Sequence, residues 1–242
     1  MYLTRFRFNT ARTESRRLLG SPHRLHGAVN MAFPDAPDRD GIGPRVLWRL
    51  DQAPAGRVDL LISSPARPDL THLVEQAGWP TQGPDGWRTF AYGEFLDALT
   101  EGDVWAFRLT ANPVHHIRRA VDAPGTPTKR TAHVTPRHQI GWLLKHQERA
   151  GFSVLHRAEM AAQTEPSQEP DVFEVIVHDH TPVRFGKSTN ASDVRFTRAT
   201  FDGRLRITDP MALRRTLTQG LGKAKAYGCG LMTLAPAHEA RP

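Results

Sequence analysis

The order of strand-like and helix-like segments repeats along this 242-residue chain, and the repeat limits the folds open to it. Residues 2–8, YLTRFRF, alternate apolar and polar side chains, which is the period of a half-buried strand. Two helical pieces follow through about residue 33, and then come a strand pair (RVLWRLD and GRVDLLISS), a short helix near PDLTHLVEQAG and a strand at DVWAFRLTANP. This is the β-α-β-β-α-β order of a ferredoxin-like unit.

The same order recurs from residue 129. KRTAHV predicts a strand, and TPRHQIGWLLKHQERAG predicts a helix with Thr135 as N-cap and Gly151 beyond its end. Further strands are expected at about 152–160, 172–178 and 193–207, the last broken by a turn at FDGR, with a short helix after TDP and a final strand at GLMTLAP. We predict an α+β chain of two tandem ferredoxin-like (RRM-like) βαββαβ domains, residues 1–115 and 131–242, joined by a basic linker at 116–130.

The charge balance favours a polyanionic partner. Lys and Arg number 32 against 25 Asp and Glu, a formal charge of +7, so nucleic acid is the leading partner class and ordinary solubility charge is the alternative. A single cysteine, Cys229, excludes an intramolecular disulfide and a multi-cysteine zinc site. No apolar run approaches the length of a membrane span and the N-terminus lacks a secretory core, so we expect no membrane partner and a cytoplasmic location.

The stretch SPHRLHGAVNMAF, residues 21–33, predicts a helix with Ser21 as N-cap and Pro22 at the first helical position. Its apolar side chains form one core-facing stripe, and His23, His26 and Asn30 share the neighbouring polar face. Imidazoles transfer protons near neutral pH, so the pair suits acid/base chemistry, although the pattern by itself favours two solvated histidines on a helix flank. No third ligand is placed for a zinc site.

Two segments predict phosphate contacts. FGKST, residues 185–189, lacks the earlier glycine of a P-loop and is expected to be the turn of a hairpin. The hairpin is either a simple charged edge or an arm whose cations contact phosphate. The cations of this arm are Arg184, Lys187, Arg195 and Arg198. GLGKAKAYGCG, residues 220–230, lacks the third glycine of a dinucleotide fingerprint. Such a loop either cradles RNA phosphate or packs tightly on a neighbouring domain, through Gly220, Gly222, Gly228, Gly230, Lys223 and Lys225.

The glycine-rich segment matches the pattern G-h-G-x5-G-h-G (h, hydrophobic) of the CRISPR repeat-processing RNA endonucleases. FDGRLRITDPMALRRTLTQGLGKAKAYGCGLMTLAP, with MYLTRFRFN, RLH, FRLTANP and GWLLKHQERAGF in order before it, resembles the CasE branch of that family. The matches run from residue 1 to about 236. CasE is the crRNA-processing subunit of the type I-E Cascade complex.

The resemblance implies two facing ferredoxin-like domains and an RNA stem-loop bound on the basic side. It also implies cleavage at the 3′ base of the stem without a metal or other cofactor, giving a 2′,3′-cyclic phosphate and a 5′-hydroxyl. The implied partners are CRISPR repeat RNA, as precursor and as mature crRNA, and the other Cascade subunits. The alternatives are a non-catalytic subunit with two RRM-like domains, although no full RNP aromatic motif is present, and a metal-dependent nuclease, although no carboxylate cluster supports one.

Carried across residue by residue, His26 aligns with the catalytic histidine of the family. His23 stands where the family commonly has tyrosine, so it either completes an acid/base pair or helps to position the scissile phosphate. A lysine that some members carry one turn further along is replaced by Met31. Stabilisation of the transition state would then fall to another cation, such as Arg39, Arg45 or an arginine of the 184–198 arm.

Overall fold

The fold is described from a computed structural model, which covers residues 1–35, 43–79, 86–117, 129–157, 172–186 and 193–237. The first half of the chain forms a four-stranded antiparallel sheet in the order β2-β3-β1-β4, with its helices on one face. Its elements, in chain order, are β1 (Tyr2–Phe8), α1 (Thr13–Leu19), α2 (Pro22–Asn30), β2 (Leu47–Ala53), β3 (Arg57–Ser64), α3 (Thr71–Ala77) and β4 (Trp87–Ala91). This topology is that of a ferredoxin-like unit.

The second half repeats the topology. Its elements, in chain order, are α4 (Tyr92–Asp97), β5 (Val104–Ala111), β6 (Val114–Ile117), β7 (Lys129–Ala132), α5 (Pro136–Ala150), β8 (Phe152–Val154), β9 (Val175–Phe185), β10 (Val194–Ile207), α6 (Pro210–Gln219) and β11 (Met232–Pro236). The sheet order β11-β5-β10-β8 is again ferredoxin-like, and β9 extends β10 as a long hairpin. The predicted α+β fold of two tandem ferredoxin-like units is confirmed.

The prediction that the strand at DVWAFRLTANP completes the first half is wrong. That strand is β5, which pairs with β10 and β11 in the second sheet, while β4 closes the first sheet. The strand predicted at 129–134 is β7, which pairs only with β6 in a separate hairpin. The sheets therefore divide before residue 104, ahead of the predicted boundary at 115, and most of the predicted linker at 116–130 lies outside the described residues. How the chain divides into independently folding domains stays a prediction.

The predicted break at FDGR is also wrong, because β10 continues through it. Asp202 forms a bidentate ion pair with Arg108 on β5, at 2.7 and 2.6 Å. A Cβ at Gly203 would lie 3.1 Å from the Cα of Val175 on β9 and closer still to the carbonyl oxygen of Glu174. The glycine permits this close approach of the neighbouring strand and does not mark a turn.

Arg49 on β2 joins the two halves. Its guanidinium is buried, pairs with Asp51 at 2.7 and 2.9 Å, and donates to the backbone carbonyls of Arg108 at 2.7 Å and Leu231 at 3.1 Å. A further hydrogen bond reaches Thr233 Oγ1 at 2.8 Å. Because β2 belongs to the first sheet and these acceptors to the second, one side chain fixes the relative position of the sheets.

No helix in the described ranges is long and apolar enough to cross a membrane.

Candidate catalytic site and nucleic-acid interface

Helix α2 presents the two histidines as its sequence predicts. The Ser21 side chain caps the helix by accepting a hydrogen bond from the Arg24 backbone N–H at 3.4 Å, and Pro22 opens the first turn. The predicted apolar stripe is buried against the first sheet: Leu25, Ala28, Val29, Ala32 and Phe33. Burial of this stripe fixes the rotation of the helix, so His23 is exposed and His26 is half-buried on the outer face.

Asn30 orients the His26 ring. Its amide Nδ2 lies 3.2 Å from His26 Nε2, the spacing of side chains four residues apart on a helix. An amide nitrogen donates and does not accept, so this contact suits the tautomer in which Nε2 is the acceptor. The predicted grouping of His26 with Asn30 on one polar face is therefore confirmed as a hydrogen bond.

Both histidines meet rings from the second half of the chain, in what we call the aromatic cluster: His23, His26, Phe185, Phe196 and Tyr227. The His26 and Tyr227 ring centroids are 6.1 Å apart in an edge-on arrangement, and the rings of His23 and Phe185 lie 6.4 Å apart and nearly parallel. Tyr227 in turn contacts Phe185 at 4.8 Å and stacks on Phe196 at 5.9 Å. The candidate catalytic helix is thus held against the hairpin β9–β10 and the glycine-rich loop.

The glycine-rich loop, residues 220–230, packs on both halves of the protein. Gly220 and Gly228 have φ of +76° and +79°, and Cβ atoms there would lie 2.9 Å from the Leu47 side chain and 2.6 Å from the Trp48 ring of β2. Of the two roles that the sequence left open, tight packing on the neighbouring half is what these two glycines do. Gly222 and Gly230 lie against Trp142 and the Leu221 backbone. Contact of the four glycines with RNA stays a prediction.

The two lysines of this loop have different environments. Lys223 is exposed, whereas Lys225 is half-buried and its Nζ donates to the Gln219 carbonyl at 2.7 Å. Burial, with help from the nearby Arg45 and Lys223 cations, lowers the pKa of Lys225 to about 8. The lysine therefore loses its proton at a lower pH than an exposed lysine does, and an arriving phosphate would favour the charged form.

β9 and β10 pair as a hairpin around the predicted FGKST turn, of which residues 187–189 lie outside the described residues, and two of its arginines share one carboxylate. Arg184 and Arg195 are exposed and lie 2.6 and 3.5 Å from Asp193, whose pKa the Arg184 hydrogen bond and charge lower. Arg198 is half-buried beside the glycine-rich loop, close enough to act on the Cys229 thiol. Lys187, like Arg39, lies outside the described residues. Phosphate contacts of the arginines stay a prediction.

Sequence reasoning missed the aromatic members of the site. Phe185 and Phe196 sit within segments examined for their charges, and Tyr227 sits within the glycine pattern. Their common signal is an aromatic ring within one or two residues of a cation or glycine in a basic segment, a combination suited to nucleic-acid surfaces. Within the described ranges, no group of three or more His, Cys, Asp or Glu side chains is arranged to hold a metal ion.

The fold and the site define a class of protein with two ferredoxin-like units, which hold a histidine-bearing helix between a basic hairpin and a glycine-rich loop. The model of the CRISPR associated protein family matches residues 1–236, and the chain belongs to that family. The CRISPR-associated endoribonuclease Cse3 of Thermus thermophilus is 30% identical over 239 residues, covering 98% of this chain and 100% of the relative.

Two further proteins are similar to this chain. The CRISPR system Cascade subunit CasE of Escherichia coli is 30% identical over 135 residues, 54% of this chain and 57% of that protein. A solved structure of Thermus thermophilus Cse3 bound to an RNA representing a pre-cleavage complex matches with a TM-score of 0.71 at 27% identity, covering 97% of this chain and 98% of that one.

Proposed function

We propose that this protein is an endoribonuclease that cuts CRISPR precursor RNA at the 3′ base of each repeat stem-loop to give mature crRNA. The observation that carries the proposal is the aromatic cluster, because it holds His26 of the first half against the basic hairpin and the glycine-rich loop of the second half. The matches to endoribonucleases over nearly the whole length support it. The protein keeps its product and remains part of a Cascade complex in the cytoplasm, as the related Cascade subunit suggests.

The reaction transfers one phosphoryl group within the RNA. The substrate 2′-oxygen attacks the adjacent phosphorus, the bond from phosphorus to the 5′-oxygen breaks, and a 2′,3′-cyclic phosphate and a 5′-hydroxyl result. His26 Nε2 takes the proton of the 2′-hydroxyl, which replaces the Asn30 amide as the hydrogen-bond donor to that nitrogen. Asn30 sets the ring orientation before the substrate arrives.

The departing 5′-oxygen needs a proton, and the phosphorane-like transition state needs positive charge. We assign the proton to His23, which lies on the same helix face as His26 and faces Phe185. Lys225 and Arg45 are our candidates for the charge, since the loop segment that carries Lys225 packs on α2 and Arg45 lies close enough to Lys225 to lower the pKa of that lysine. No step requires a metal ion, because the nucleophile belongs to the RNA.

The test is incubation of the purified protein with a labelled cognate repeat hairpin in excess EDTA. We expect one product, cut at the 3′ base of the stem and ending in a 2′,3′-cyclic phosphate. A hairpin with a single 2′-deoxy substitution at the cleaved nucleotide should bind equally well and stay intact, because it lacks the nucleophile. Binding without cleavage of the unmodified hairpin would favour the non-catalytic RNA-binding alternative, and cleavage restored only by divalent ions would contradict the metal-free mechanism.

The role of His23 has its own test. If His23 is the acid, His23→Ala removes one limb of the pH dependence of cleavage as well as lowering the rate. If His23 only positions the phosphate, the rate falls and the shape of the pH profile is unchanged.

A further inference from the structure

A cavity of about 550 Å³ lies behind the aromatic cluster, between the hairpin β9–β10, the strands β6 and β7, and the glycine-rich loop. Phe196 and Tyr227, stacked on each other, form part of its wall, and most of the remaining lining is aliphatic. Tyr227 also contacts His26, so one ring separates the cavity from the candidate catalytic histidine. Concave sites of this kind, apolar with a few polar groups, are typical of small-ligand sites.

One buried polar group lies in the cavity wall without a partner. Asn112, the residue after β5, is 4% exposed, and its Oδ1, which has less than 1 Å² of accessible surface, has no hydrogen-bond partner among the described residues. A rotation of the side chain is needed to turn this oxygen into the cavity. Buried side-chain oxygens are nearly always satisfied, so an unsatisfied one calls for an explanation. An oxygen acceptor is complementary to the N–H groups on the edge of a nucleobase.

The rim of the cavity is cationic. Arg184, Arg195 and Lys223 line the cavity and are exposed. The Asp193 carboxylate between the two arginines offsets part of their charge, and the net charge stays positive where the sugar-phosphate backbone of an inserted nucleotide would run. Ala224, also in the lining, has a φ of +61°, a conformation unfavourable for a residue other than glycine. Strained backbone of this kind collects at ligand sites.

The proposed reaction requires what such a cavity supplies. Attack by the 2′-oxygen needs the departing 5′-oxygen on the opposite side of phosphorus, and a regular stacked strand does not hold these atoms in line. Rotating the nucleotide after the scissile phosphate out of the stack brings them into line, provided that something holds its base. At the 3′ base of a stem this nucleotide is unpaired, so its base is free to rotate.

We propose that the cavity is a nucleobase pocket that holds the nucleotide immediately 3′ of the scissile phosphate, with Asn112 accepting a hydrogen bond from its base. This inference rests on the proposed function and adds a substrate contact to it. The pocket sets the in-line geometry and leaves recognition of the stem to the basic hairpin and loop. It therefore acts on the rate of cleavage more than on the affinity for the hairpin.

The test combines a change in the RNA with a change in the protein. Single-turnover cleavage is measured for an intact hairpin, for one made abasic at the nucleotide after the scissile phosphate, and for a control abasic two nucleotides further on. Each RNA is incubated with the wild type, with Asn112→Ala and with Ser63→Ala. Ser63→Ala is the matched control, because it removes a buried side-chain oxygen on β3 that also has no hydrogen-bond partner among the described residues. A second pocket variant, Val194→Trp, fills the cavity from its lining and does not depend on how Asn112→Ala folds.

We expect the first abasic RNA and Asn112→Ala each to slow cleavage about 10-fold, with no further loss when they are combined, because both remove the same contact. Val194→Trp should slow the intact RNA and leave the affinity unchanged, while the control RNA and Ser63→Ala behave as wild type. Losses that multiply to about 100-fold, or full-rate cleavage of the first abasic RNA, would overturn the pocket and leave the endoribonuclease assignment standing. A wild-type protein that cuts none of the three RNAs would overturn the proposed function instead.

Discussion

Replacing Gly228 by alanine should uncouple the glycine-rich loop from the first half of the protein. The substitution places a Cβ at φ +79° and 2.6 Å from the Trp48 ring, which is 2% exposed. The left-handed backbone costs about 1–2 kcal/mol for a residue with a Cβ, and the forced contact about 1–3 kcal/mol more. We therefore expect a loss of about 2–5 kcal/mol in the free energy of unfolding.

The matched control is Gly56→Ala. Gly56 has a similar φ of +70°, but a Cβ there meets nothing within 4 Å, so only the backbone term of about 1–2 kcal/mol applies. Urea unfolding followed by tryptophan fluorescence gives both values, and single-turnover cleavage reports on the site. Because Tyr227 directly precedes Gly228, cleavage should fall in Gly228→Ala and hold in Gly56→Ala. Equal destabilisation by the two substitutions would refute the packing role assigned to Gly228.

Three further predictions concern the side chains of Arg49, Lys225 and Cys229. Arg49→Met should lower the free energy of unfolding, measured in urea, by about 3–5 kcal/mol, because it leaves the Asp51 carboxylate without its partner. Arg57 is half-exposed, so Arg57→Met should cost less than about 1 kcal/mol. Similar losses in the two variants would contradict the role of Arg49 in joining the two sheets. The pKa of Lys225 is about 8 in the free protein, and a bound phosphate should raise it. RNA binding above pH 8 should therefore take up protons, and the affinity should fall as the pH rises through that range. Calorimetry in buffers of different ionisation enthalpy measures the proton uptake, which Lys225→Met should abolish. Complete burial raises the pKa of Cys229 to about 12, so the thiol should react with Ellman's reagent at pH 8 only after unfolding; rapid reaction of the folded protein would contradict its burial.

Local patterns in the sequence predict the candidate catalytic helix well. A capping serine, a proline in the first turn and an apolar stripe at helical spacing determine where α2 begins and which face it buries. The contact between His26 and Asn30 then follows from their four-residue separation. These features depend only on neighbours along the chain, so they can be predicted from the sequence.

Features that depend on distant partners were not predictable in this way. The strand at 104–111 has a strong strand pattern, but which sheet it joins depends on pairing with residues almost a hundred positions away. LWRLD contains one acceptor of Arg49, the Asp51 carboxylate, but its other acceptors lie on or beside β5 and β11, so the segment alone does not show that Arg49 is buried. The aromatic cluster likewise joins three segments that only the folded chain brings together.

The most direct test of the central claim is metal-free cleavage of the repeat hairpin by His26→Ala. General acid/base catalysis contributes about 100-fold or more, so in EDTA we expect the single-turnover rate to fall by at least about 100-fold while the Kd for the hairpin stays unchanged. The control is His156→Ala, which removes an exposed imidazole beside Phe173, outside the aromatic cluster. This variant should cut the hairpin at the wild-type rate. Cleavage by His26→Ala at the wild-type rate would contradict the account.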